Sequence, residues 1–95
     1  MGVFRDAMLR ELRIRGYAAA TCELYVGAMR DLVRYHMRAP DLLTPADIKA
    51  YQWHLIGERR VSYSTFNVAV SAFRFFYRNV VPVEWPVERL PAWVR

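Results

Sequence analysis

At 95 residues, 55% hydrophobic and 15% aromatic, the chain holds enough apolar material for one folded domain, which excludes intrinsic disorder. Its formal net charge is +5, and thirteen of its fourteen basic residues are arginine, whose planar fork suits phosphate better than lysine does. That balance favours an anionic partner such as nucleic acid, although a composition habit of the source genome is the plainer alternative. Cys22 is the sole cysteine, which excludes an internal disulfide and a thiolate metal cluster and fits a reducing cytoplasm. No apolar run approaches the ~20 residues that span a bilayer, no signal-peptide pattern opens the chain, and Asp6 stands where a myristoylation motif needs Ser or Thr, so no membrane partner is expected.

Phe4, Met8 and Leu12 recur at helical spacing and Gly16 supplies a stop, which predicts a first helix over residues 3–15. A second is expected over about 19–37, with Leu24, Tyr25, Ala28, Met29, Leu32 and Tyr35 on its core side. Glu23, Arg30, Arg34 and Arg38 occupy the other side, Cys22 reads as a small buried hydrophobe, and Ala39-Pro40-Asp41 breaks the run. Thr44-Pro45-Ala46-Asp47 is a start signal, with a capping hydroxyl, proline at the first helical position and an acid at the third. The third helix then carries Ile48, Tyr51, Leu55 and Ile56 inward and ends between Gly57 and Arg60. Ser62 or Ser64 caps the fourth, whose core stripe is Phe66, Ala69, Val70, Phe73, Phe76, Tyr77 and Val80. No stretch alternates as a strand would and no repeat is present, so the fold class is all-α. Pro82, Pro86 and Pro91, interleaved with Trp85, Trp93, Arg89 and Arg95, read as an extended linker over 82–95, the alternative being a tail that docks its tryptophans.

The fourth helix is apolar over most of its circumference, yet Asn67, Ser71, Arg74 and Arg78 stand at i, i+4, i+7 and i+11 and share one side. Two arginines on such a narrow seam predict contact with something anionic, and an ordinary solvated face is the alternative. The rest of the chain offers little for chemistry. Two isolated histidines, His36 and His54, make no zinc set. Asp41 and Asp47 fit loop and cap positions better than a catalytic pair. Gly2, Gly16, Gly27 and Gly57 form no phosphate loop, and no cofactor is expected.

Three segments, G-Y-A-A-A-T-C-E-L-Y, L-T-P-A-D-I-K-A-Y-Q-W-H-L and S-Y-S-T-F-N-V-A-V-S-A-F-R-F-F-Y-R, stand in order over residues 4–81. Together they resemble the N-terminal core-binding domain of tyrosine recombinases, the SAM-like helical domain of phage integrases, nearest to the integron-integrase type. The resemblance implies a compact orthogonal four-helix domain over 1–81, with 82–95 leading toward a catalytic domain absent from this chain. It implies a DNA-binding module that helps clamp duplex DNA at a recombination site. Its partners would be that DNA, the catalytic domain of the same parent protein, and other protomers in a homo-oligomer on DNA, in a bacterial cytoplasm. By resemblance Thr21, Ser64, Thr65, Asn67, Ser71, Arg74 and Arg78 fall on the DNA side.

One departure is plain. The run Ala18-Ala19-Ala20 removes a capping serine and a phosphate-seeking charge that the family usually carries, so contacts at the start of the second helix are expected to be weaker than average or replaced by Arg30 and Arg34. In the family the nucleophilic tyrosine, its arginines and a His-x-x-Arg element come from the catalytic domain. Here Ala39 stands three residues after His36 and Gly57 three after His54. Tyr25, Tyr35, Tyr51 and Tyr77 read as packing, with Tyr17 and Tyr63 flanking helix starts, so the domain by itself is expected to be non-catalytic. Two other readings stay open at this level. One is a helical protein-interaction module presenting Trp53 and Phe75; the other is an orphaned remnant of a mobile element.

Overall fold

The computed structural model describes residues 2–85 and contains four helices: α1 (Gly2–Ile14), α2 (Ala19–His36), α3 (Pro45–Gly57) and α4 (Tyr63–Asn79). A single 3-10 turn, Pro40–Leu42, joins α2 to α3. Among the described residues there is no strand, and the fold is all-α.

Local chemistry sets each boundary. Gly16 adopts φ +80°, the left-handed region open to glycine, and closes α1. The Gly16 N–H then donates to the Arg13 carbonyl and the Tyr17 N–H to the Leu12 carbonyl, both at 3.0 Å, the paired bonds of a Schellman stop. Ala18 stands at the N-cap of α2 with no side-chain acceptor, as the alanine run predicts. At α3 the Thr44 Oγ1 accepts from the Asp47 N–H at 3.2 Å, and the Asp47 carboxylate accepts from the Thr44 N–H at 2.9 Å, a complete capping box. Of the two candidate serines it is Ser62 that caps α4, accepting from the Thr65 N–H at 3.1 Å.

Helix α4 is the centre of the molecule. It packs most extensively along α2, while α1 and α3 close over both. Its buried side carries Phe66, Ala69, Val70, Phe73, Phe76 and Tyr77 as expected, and Ala72 and Phe75 as well. Met8 and Leu12 of α1 and Ile48, Tyr51 and Leu55 of α3 complete the core. Cys22 is buried as its pattern suggests, its thiol lying 3.7 Å from the Tyr17 carbonyl. Three expectations need correction. Leu24 is 57% and Tyr35 44% exposed, because the buried line of α2 runs through Cys22, Met29 and Leu32, with Tyr25 and Val26 partly covered beside it. Leu24 and Tyr35 sit on its flank. Phe75, expected at the surface, is 5% exposed, since the α1–α2 turn folds Tyr17 onto its ring.

Tyr77 ties three segments together. Its hydroxyl donates to the Pro40 carbonyl at 2.7 Å, and its ring packs against Phe76 and against Trp85 at 5.1 Å. Burial pushes its phenol far above the ordinary tyrosine range. Tyr77→Phe leaves the Pro40 carbonyl enclosed without its donor and should cost about 1–3 kcal/mol, read as a lower denaturant midpoint with an unchanged slope. After α4, Val81, Val83 and Trp85 pack on the core. Residues 86–95, with the rest of the expected linker, lie outside the described residues.

Asp47 also holds the end of α2. Its carboxylate pairs with Arg38 at 2.9 Å, and its backbone carbonyl meets the His36 Nε2 at 2.7 Å. The bond from the Thr44 backbone N–H, with help from Arg38, holds the Asp47 carboxyl below the ordinary range against a partial burial that raises it. A depressed carboxyl stabilises the fold above its unfolded pKa, about 3.9, and that stabilisation is lost as pH falls through the lower folded value. Asp47→Asn should therefore lower stability near neutral pH and shrink the loss on acidification below about pH 4, which thermal melts over a pH series would show.

Candidate nucleic-acid interface

Among the described residues a cleft lies at each end of α4. The first, about 320 Å³, opens where the end of α1, the start of α2 and the last turns of α4 meet. Helical spacing puts Ser71, Arg74 and Arg78 on successive turns of α4, all lining it. Phe75 forms its floor, with the Tyr17 and Tyr25 rings set edgewise at 5.5 and 6.3 Å and against each other at 5.8 Å. Arg15 enters from the opposite wall. It donates to the Asn79 Oδ1 at 3.0 Å, its guanidinium stands 5.9 Å from the centre of the Phe75 ring, and its Nε lies 3.4 Å from Glu11. Arg74 is half-buried, its Nε enclosed, whereas Arg78 is exposed. Among the described residues three arginines and no carboxylate line this cleft, Glu11 reaching Arg15 from outside it. Rings under such a wall limit solvent access and so lessen the screening that weakens open surface charges.

A second cleft, about 410 Å³, lies between α2, α4 and the end of α3. It gathers Arg30, Ser64 and Thr65 over an apolar floor of Leu24, Ala28, Leu55, Val68 and Ala69. Arg59 joins them, but so do Glu23 and Asp31, the latter 3.9 Å from the Arg30 Nε, so opposite charges offset each other there. Arg34 borders a shallower recess beside Asp31, Tyr51, His54 and Arg59. Burial, seconded by Asp31, raises the Tyr51 phenol there, with Arg59 opposing.

Of the nine residues singled out from the sequence, Ser71, Arg74 and Arg78 meet in the first cleft and Arg30, Ser64 and Thr65 in the second. Asn67 sits part-exposed on α4 and continues the seam between them, Arg34 stands at the recess, and Thr21 lies part-exposed on the first turn of α2, lining neither cleft. Arg15, Tyr17, Arg59 and Asn79 were not legible as site residues. Arg15 directly follows the first helix as an unremarkable charge, and its partner Asn79 is 64 residues away.

Residues 4–87 match the family described as the phage integrase N-terminal SAM-like domain. The chain belongs to that family. It is 30% identical over 92 residues, 96% of its length, to a protein of Sinorhizobium fredii provisionally named integrase/recombinase y4qK. It is 33% identical over 82 residues, 85% of its length, to proteins named integrase/recombinase from Escherichia coli and from Pseudomonas aeruginosa. The chain spans 30% of the first of these relatives and 24% of each of the others. No solved structure gives a significant match. In this phage-integrase SAM-like domain no helix among the described residues is long and apolar enough to cross a membrane. Among the described residues one arginine-lined cleft has no acidic lining residue, another is of mixed charge, and the polar seam of α4 runs between them.

Proposed function

We propose that this phage-integrase SAM-like domain is the DNA-binding module of a site-specific recombinase, holding duplex DNA along the seam of α4 while cleavage chemistry resides in another domain of the parent protein. The observation that carries this reading is the convergence of Arg74 and Arg78 with Arg15 in a cleft that no carboxylate lines among the described residues. A phosphodiester shares one negative charge over two non-bridging oxygens of a tetrahedral phosphorus, and the planar fork of arginine can meet both. In this reading Asn67 and Ser71, part-exposed on α4, touch sugars or base edges and add orientation more than affinity. Arg30, Arg34 and the hydroxyls of Ser64 and Thr65 would follow the backbone past the second cleft, and Thr21 would make a lesser contact at the start of α2.

If about four arginines engage, log affinity should fall against log salt with a slope of roughly −3 to −4, from a non-specific affinity of about micromolar or weaker. Binding isotherms over a salt series test this, and backbone shift mapping with a DNA duplex locates the surface. Perturbations confined to α3, or an affinity indifferent to salt, would contradict it.

Trp53 supports a second reading. It is 72% exposed on α3, outside both clefts, and a large bare ring is a common anchor between proteins. Such an anchor would respond little to moderate salt, so the same titration separates protein contact from phosphate contact. The two surfaces are compatible, since protomers assembling on DNA would need both.

A further inference from the structure

We infer that Arg15 is a phosphate-contacting residue of the cleft, built in by the turn after α1, and that Glu11 restrains it by competing for the same guanidinium; this rests on the DNA-binding reading above. The other arginines of the cleft belong to α4, whereas Arg15 stands in the turn that directly follows α1. Its position is nevertheless fixed from three directions. Asn79 accepts from one Nη at 3.0 Å, Phe75 lies 5.9 Å beneath the guanidinium, and Glu11 stands 3.4 Å from Nε. These partners engage Nε and one Nη of a group with five N–H donors. The side chain remains 49% exposed, so the outer part of the fork is open toward the cleft mouth. Asn79 is neutral and orients the group without cancelling its charge. Holding the fork in place beforehand lowers the ordering cost of meeting an oxyanion, which a mobile surface arginine pays in full.

Among the described residues Glu11 is the charged opponent of Arg15. It is an i,i+4 neighbour, and its side chain is 34% exposed, which marks a weak, solvent-screened pair. A phosphate approaching Arg15 must displace or share that carboxylate. Removing the carboxylate should therefore strengthen DNA binding, but only while Arg15 is present.

The test uses the full chain and a mixed-sequence DNA duplex, with affinity followed by fluorescence anisotropy across a salt series. Arg15→Gln should make the log–log salt slope shallower by about 0.9, the value for one phosphate contact. Glu11→Gln should tighten binding about two- to fivefold in the native background and have little effect in the Arg15→Gln background. Arg15→Lys should keep most of the slope while losing affinity, because the charge stays and the fork goes. An unchanged slope for Arg15→Gln, beside a shallower one for Arg74→Ala with Arg78→Ala, would overturn the inference and leave the DNA reading standing. Equal gains from Glu11→Gln in both backgrounds would also overturn it, showing only long-range relief of repulsion. If neither Arg15 nor the α4 pair alters binding, the DNA reading falls with it. Should Arg15→Gln fail to fold, Glu11→Gln on the native Arg15 still decides, since no gain there refutes the competition.

Discussion

Replacing Arg74 and Arg78 together by alanine is expected to lower duplex affinity and to flatten its salt dependence by up to about 1.8, the sum for two independent phosphate contacts at about 0.9 each. The two residues are i,i+4 neighbours in one cleft, so their effects share a counterion atmosphere and should be less than additive. They should also differ in kind. Arg78 is exposed, and its loss should act almost wholly on binding. Arg74 is half-buried with its Nε enclosed, so truncation also removes packing along its stem. A melt of each single variant without DNA separates the contributions: Arg78→Ala should melt close to the native chain and Arg74→Ala somewhat below it. Unchanged affinity and slope in a folded double variant would sink the assignment of this seam to DNA.

Phe76→Ala is expected to have the largest effect on stability. Phe76 is fully buried on α4, with the Phe4 ring of α1 set edgewise at 6.1 Å and Tyr77 at 5.0 Å. Truncation forfeits the burial of the ring and leaves a cavity that helices pinned at both ends cannot close, a cost of about 3–5 kcal/mol. Small domains hold about 5–15 kcal/mol in total, and in this size range each kcal/mol moves the melting point by about 4–8 °C. The variant should thus be marginal at room temperature, with α1 the first element to loosen because Phe4 loses its partner. Chemical denaturation measures the cost, and hydrogen exchange shows where it falls. A loss under about 1 kcal/mol would mean that the core at this point can repack freely.

The helices were legible because the chain states several of their boundaries twice. Gly16 and the Thr44-Pro45-Ala46-Asp47 box mark ends that the apolar periodicity marks independently, and the structure keeps both. What misled was apolar character without burial. Leu24 and Tyr35 look like core by residue type, yet the packed line of α2 passes through Cys22, Met29 and Leu32 instead. Phe75 misled in the opposite sense. It is covered by Tyr17, which no helical periodicity within α4 could announce. The same division governs the candidate site. Asn67, Ser71, Arg74 and Arg78 could be read together because one helix spaces them. The contribution of Arg15 could not, because its bond to Asn79 joins opposite ends of the domain. Nor could the Tyr77 hydroxyl be assigned to Pro40, 37 residues away, from either local pattern.

The burial of the sole thiol has a practical consequence. Cys22 is 3% exposed, one helical turn from the alanine-capped start of α2 and directed at the carbonyl of Tyr17. A thiol-modifying reagent must wait until that corner opens, so its reaction rate serves as a clock for local breathing at a single chemically unique atom. Because Tyr17 also walls the arginine cleft, a molecule held in the cleft is expected to slow that clock.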